Sequence, residues 1–293
     1  MEVRLGLREN AQQFALLVAL NALVGALVGL ERSVVAPFAE DDFGIASKSA
    51  ILSFIIAFGA AKALANLAAG RLAEDGRKRV LAAGWAIALP APLLIGLAPS
   101  WGYVVAANVF LGASQGLAWS MTVMMKIDLV GPRRRGLALG LNESAGYIGV
   151  ALTAAATGWL ATSVDARTVV WAGAAVIAPA GLALTLLLVR ETLPHVHHEE
   201  RTAPARLDPT APLSTLAQAG FVNNLNDAVA WGLVPLYLAA HGASHADVGL
   251  VAGLYPAVWG CGQLGAGALS DRVGRAPRGR SGRAPKPARR SGC

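Results

Sequence analysis

The sequence predicts an all-α fold, a polytopic bundle of transmembrane helices, on three observations. Apolar runs of about twenty residues recur along the chain, the length a helix needs to cross a hydrocarbon core. The composition is 55% hydrophobic and 15% charged with a mean hydropathy of +0.50, outside the range of a soluble domain. Alternation suited to barrel strands is absent, which leaves helices as the spanning elements.

The apolar runs place spans at 13–38, 49–70, 80–98, 102–125, 137–162, 167–189, 213–240 and 247–270. Most joining loops are short. The exception, "RETLPHVHHEERTAPARLDPTAP", reads as a linker because of its prolines and mixed charges. The expected organisation is a six-helix transmembrane half over 1–189, a cytoplasmic linker over 190–212, an incomplete two-helix half over 213–275 and a disordered basic tail over 276–293. No cleavable signal peptide is apparent, since the first apolar run is too long for a signal core. Cys261 and Cys293 supply neither a disulfide framework nor a metal quartet.

The net charge of +7 is distributed unevenly. With the N-terminus in the cytoplasm, Arg4, Arg8, Arg71, Arg77, Lys78, Arg79, Lys126, Arg133, Arg134, Arg135, Arg190, Arg201 and Arg206 fall inside. The opposite loops keep Lys48 and Arg167 beside the acids Glu40, Asp41, Asp42, Asp165 and Asp247. That asymmetry sets both termini in the cytoplasm of an inner-membrane protein. Anionic lipid is a secondary partner, and nucleic acid is not implied.

Two phrases recur: "GRLAEDGRKRVL" from Gly70 and "GALSDRVGRAPRG" from Gly267. Sliding the chain by 197–198 residues also superposes Pro37 on Pro235, Gly44 on Gly242 and Asn66 on Gln263. Such a repeat of paired helices suits a transporter built from two similar halves around a midplane site. The second phrase resembles the loop signature of the major facilitator superfamily, Gly-x-x-x-Asp-Arg/Lys-x-Gly-Arg, carried here by Gly267, Asp271, Arg272, Gly274 and Arg275. In the first copy, one residue shorter, Gly70, Gly76 and Arg77 keep the pattern and either Glu74 or Asp75 takes the acid's place. "LERSVVAPFAEDDFG" is similar to that family's first-helix end, and "GPRRRGLALGL" to its loop between helices four and five.

The resemblance implies twelve helices, of which about eight are present, and alternating-access transport of a small solute. The glycines, acid and arginines of each phrase suit a gating latch held shut by charge-assisted hydrogen bonds, with arginines that only anchor topology as the alternative. Gly112 stands where many relatives have arginine, and "GYIGVALTAAATGWL" lacks the Gly-Pro pair of drug/proton antiporters; both lower a drug-export reading. The tail "APRGRSGRAPKPARRSGC" cannot cross a bilayer, and it is expected to be a truncation or an out-of-frame translation after the eighth helix.

Ionisable and amide side chains within the spans are the candidate substrate and coupling residues, because a central charge costs about 2.5–3.5 kcal/mol on insertion scales. Asn21, Gly25, Val28 and Arg32 share one face of the first span, with Glu31 beside Arg32. Lys62 and Asn66 lie one turn apart in the second, too deep for easy snorkelling, and a lysine there wants an acid or an anionic ligand. Asn108, Gly112, Gln115 and Trp119 share a face of the fourth, and Asn142 and Glu143 begin the fifth near its cytoplasmic end. In "FVNNLNDAVAWG", Asn223, Asn226 and Asp227 are read onto one face, with Asp227 as the protonatable coupling group and Arg32 or Lys62 as its neutralising alternative.

His195, His197 and His198 match no zinc spacing and read as a solvated linker, with a metal-using membrane enzyme as the rival. No nucleophile elbow or Walker pattern appears, so neither an enzyme nor an ATP-driven pump is implied. The expectation is a monomeric secondary transporter without cofactor or metal. It would move a small, possibly anionic, solute with proton coupling; the alternative is a non-transporting relic or scaffold of the same fold.

Overall fold

In the computed structural model, which describes residues 5–131, 134–196 and 212–273, the regular elements are helices and no strand occurs among the described residues. The first rod is α1 (Ala11–Arg32) continued by α2 (Val35–Phe43). The second is α3 (Lys48–Ile51) with α4 (Ser53–Leu72), and the third is α5 (Arg77–Ala88) with α6 (Pro90–Gly96). Then follow α7 (Trp101–Val130), α8 (Arg135–Leu160), α9 (Ala166–Leu188), α10 (Pro212–Ala240) and α11 (His245–Val273).

These rods overlie the expected spans, but three of the spans are interrupted, the second of them at Leu52. The first breaks at Ser33–Val34 because the ring of Pro37 collides with the carbonyl four residues earlier, that of Ser33. The third breaks at Leu89, ahead of Pro90 and Pro92. Ala11–Arg32, Lys48–Asp75, Arg77–Gly96, Trp101–Val130 and Ala166–Leu188 are long and apolar enough to cross a membrane. At 26, 29 and 29 residues, α8, α10 and α11 have the length, but their glycines, amides and acids dilute the hydropathy.

Helix contact is set by small residues, the means by which backbones approach in lipid. A Cβ on Gly112 would stand 2.2 Å from the Phe58 carbonyl oxygen, and one on Gly116 would stand 2.8 Å from that of Lys62. Glycine at these positions therefore lets α7 lie directly on α4. That explains Gly112 without recourse to an arginine. The seam between α8 and α11 is similar: a Cβ on Gly140 would be 2.6 Å from the Gln263 carbonyl oxygen, and one on Gly267 would be 2.5 Å from that of Gly136. At the far end of the seam, Gly158 approaches His245 and Gly249 in the same way.

One charge placed in a cytoplasmic loop from the sequence lies elsewhere. Lys126 is fully buried in α7, where its Nζ donates to the Leu17 carbonyl at 3.0 Å. The helix continues to Val130, so this lysine packs against α1 instead of facing water. Arg4, Arg133, Arg201, Arg206, most of the linker and the whole of the tail lie outside the described residues.

Candidate functional site

The broken end of the first rod carries the central charge. Glu31 and Arg32 are 1% and 2% exposed, and Ser33 is buried with them. Arg32 Nη2 donates to Asp227 Oδ1 at 2.5 Å, tying α1 to α10. The guanidinium also lies 5.7 Å from the ring centroid of Trp231, one helical turn beyond Asp227. Its Nε and Nη1 are buried without a hydrogen-bond partner. One edge of the guanidinium is thus engaged, and its other donors remain available. Both Glu31 oxygens likewise lack a partner of hydrogen-bond geometry, with the Asn108 amide as the polar side chain that interacts with them.

Aromatic packing seats α10 over this pair. Trp231 stands edge-on to Phe54 at 5.6 Å and to Phe58 at 5.0 Å, and Phe54 meets Trp101 at 5.8 Å. Where α10 passes α3 and α4, Gly232 faces the side chains of Leu52 and Ile55.

Lys62 follows from the α4–α7 crossing. Its ammonium lies 5.9 Å from the Phe58 ring and 6.0 Å from the Trp119 ring. Among the described residues no carboxylate comes within ion-pair distance of it. The charges that bear on it belong to Asp227, Glu143 and Arg32. Asn66, one turn on, is exposed and accepts from Ser120 Oγ at 3.0 Å. Gln115 is buried on α7 with its carbonyl oxygen unpartnered.

Asn21 serves a different purpose. Its amide donates to the Asn142 carbonyl at 2.7 Å and accepts from Thr122 Oγ1 at 2.9 Å, bolting α1, α7 and α8 together. On α10, Asn223 and Asp227 are half-buried, whereas Asn226 is exposed. Of the three, Asp227 makes the side-chain hydrogen bond to an opposing helix; Asn223, four residues earlier, lies on the same face, while Asn226, next to Asp227 in sequence, is turned outward.

Two further residues complete the cluster. Glu143 Oε1 accepts from Trp119 Nε1 at 2.9 Å and from the Asn142 side chain at 3.0 Å. Tyr147, one turn along α8, packs edge-on against Trp119 at 5.8 Å. It sits in the field of Asp227, Glu143, Arg32 and Tyr255. Sequence reasoning missed Tyr147, because a tyrosine inside an apolar helix carries no signal of its own. It read Glu143 as either a gating contact or a solvated helix end.

At the end of α11, Asp271 caps α8: its two oxygens accept from the Gly136 and Leu137 backbone N–H groups, each at 2.8 Å. A carboxylate there also meets the positive end of the helix dipole. Arg272 is exposed, and Gly274 and Arg275 lie outside the described residues. In the first copy of the phrase, Glu74 and Asp75 are exposed on a short 3-10 turn. The acids that engage Arg77 are others. Asp128 pairs with Arg77 Nε at 2.6 Å, and Glu191 accepts from the Arg77 and Lys78 backbone N–H groups at 3.1 and 3.0 Å. Gly76 turns the chain into α5 at φ +141°, a conformation that requires glycine. Gly70 faces open space. His195 closes a 3-10 turn, and His197 and His198 fall outside the described residues.

Long apolar helices, glycine-mediated crossings and a charged cluster between α1, α4, α8 and α10 define a multi-pass membrane protein of the transporter type. The family model for the Major Facilitator Superfamily matches residues 17–283, and the chain belongs to that superfamily. The fold is similar to that in the crystal structure of the human organic anion transporter MFSD10 (TETRAN), with a TM-score of 0.52 and 14% identity over 90% of this chain and 94% of that one. A search of curated protein sequences gave no match.

Proposed function

We propose that this chain is a secondary transporter of a small anionic solute, working by alternating access in a cell's inner membrane with both termini in the cytoplasm. Proton coupling is assigned to Asp227. The observation that carries this reading is the half-engaged Arg32: one nitrogen is held by Asp227 at 2.5 Å, two more are unpartnered, and Lys62 stands nearby without an ion pair. Lys62 is half-buried with no carboxylate within ion-pair distance among the described residues, and Arg32 keeps two buried nitrogens unpartnered, so the two can receive a further anionic group. The groups around Asp227 are Arg32 of α1, Lys62 of α4, and Glu143 and Tyr147 of α8. Protonation of Asp227 would release Arg32 to the incoming anion, so proton and solute load together. The solved relative is titled an organic anion transporter, which agrees with this choice of charge.

The test is flux in proteoliposomes containing the purified full chain. A panel of labelled, membrane-impermeant anions (dicarboxylates, sugar acids, aromatic sulfonates) is offered under an inward proton gradient. At least one should accumulate, uptake should fall at least tenfold in Lys62→Ala, and Asp227→Asn should transport without response to the gradient. No flux of any anion from well-folded protein would favour a non-transporting scaffold of the same fold.

A further inference from the structure

We infer that the solute carries a flat aromatic body joined to its acid group, and that a row of rings running from Lys62 to the cleft between α10 and α11 receives that body. This rests on the anion reading above and specifies its substrate class.

The row begins at the lysine. Lys62 lies over Phe58 and Trp119; Trp119 meets Tyr147 at 5.8 Å, Tyr147 meets Trp259 at 5.9 Å, and Trp259 stacks on Tyr255 at 6.3 Å with ring planes 23° apart. These rings come from α7, α8 and α11, so the row crosses from the N-terminal helices to the C-terminal pair. Trp259 and Tyr255 then line a cleft of about 610 Å³ whose other walls include Ala230, Val234, Val251 and Val258. That volume lies within the range of small-molecule sites, and the lining is largely apolar, with Gln263 and the polar atoms of Tyr255 and Trp259 as its polar groups.

Charge complementarity chooses the occupant. At one end stand Lys62, which has no carboxylate within ion-pair distance among the described residues, and Arg32 with two unpartnered nitrogens, in the field of Asp227 and Glu143; the cleft at the other end is apolar. A molecule matching both ends has a carboxylate or sulfonate at one extremity and a ring system at the other. Ring faces and edges presented at 5.8–6.3 Å intervals favour a flat π-system over a saturated body of equal size, because offset and edge-on ring pairs gain attraction beyond area burial. Glu143 is the positioning residue of this row. It accepts the indole N–H of Trp119 at 2.9 Å and so fixes the ring plane that meets both Lys62 and Tyr147.

The test is equilibrium binding to the full chain in lipid nanodiscs, by titration calorimetry, of 2-naphthoate and of its saturated counterpart decahydro-2-naphthoate. These probes share charge and approximate size and differ in flatness and π-character. The expected result is at least tenfold tighter binding of 2-naphthoate, with the preference erased in Trp119→Leu and largely kept in Trp119→Phe. Equal affinities, or a preference for the saturated acid as a lipid-acyl groove would show, overturn the inference while leaving anion binding intact. Failure of both acids to bind overturns the inference, and affinities for both that Lys62→Ala does not lower overturn the anion reading with it. Because the wild-type ratio decides the matter, a misfolded Trp119→Leu does not remove the test.

Discussion

Arg32 and Asp227 meet at 2.5 Å although 195 residues separate them in sequence. Their bond joins the broken end of α1 to the middle of α10. Removing one partner strands a charge in a site that is 2% exposed on the arginine side and 22% on the aspartate side. Asp227→Ala or Arg32→Ala should each destabilise the chain by about 3 kcal/mol. The double variant Arg32→Met with Asp227→Leu should recover most of that loss. Thermal unfolding of the purified variants in detergent checks it, and additive losses in the double variant would refute the pairing.

The α8–α11 seam makes a second expectation. Gly267→Leu drives a side chain into the Gly136 carbonyl and the Gly140 backbone, an overpacking cost of about 1–3 kcal/mol or a separated helix pair. Asp271→Ala leaves the Gly136 and Leu137 N–H groups without their cap, at about 0.5–2 kcal/mol. Distances between spin labels at the Arg135 end of α8 and the Val273 end of α11 should lengthen in both variants. An unchanged distance in Gly267→Leu would contradict the seam.

Glu191 is expected to matter more than Asp75 of the first phrase. Its carboxylate caps α5 through the Arg77 and Lys78 N–H groups, while Glu74 and Asp75 are exposed. Glu191→Ala should cost about 1 kcal/mol and Asp75→Ala close to nothing. Denaturation midpoints measured side by side settle the order.

One pH effect belongs to the loop ends around Asp42 and Asp165. Burial, and then the charge of Asp165, push the Asp42 carboxyl above its usual range, with Arg167 opposing. A carboxyl whose folded value is raised binds its proton more tightly folded than unfolded. Stability from this group is therefore present at low pH and is lost as pH rises through the raised value. Asp42→Asn should flatten that slope in unfolding measured across the acid range; an unchanged slope would assign it elsewhere.

The fold was legible because hydrophobic run length is a strong signal in one dimension. The proline breaks were legible in principle, since Pro37 and Pro90 announce them, yet the first span was read as continuous. Arg32, Lys62 and Asp227 stood out because charges in apolar runs are costly. Their assembly could not be read, since it depends on which helices cross, and that is set by glycines such as Gly112, Gly116 and Gly267. Lys126, Glu143 and Asp128 lie near helix ends, where sequence alone cannot separate a solvated charge from a buried one. Tyr147 became visible only when Trp119 and Trp259 were found on either side of it.

The central claim is that these ionic groups line an aqueous cavity between packed helices and do not face lipid. In a chain with Cys261 and Cys293 replaced by serine, single cysteines at positions 62 and 227 can be challenged in vesicles with a charged, lipid-insoluble thiol reagent. Cysteines at Leu67 and Leu187, 75% and 79% exposed on the bundle's outer surface, serve as lipid-facing controls. Positions 62 and 227 should react while 67 and 187 stay protected. Reaction at none of the four, with all labelled by a lipid-soluble maleimide instead, would contradict the cavity and the transport mechanism built on it.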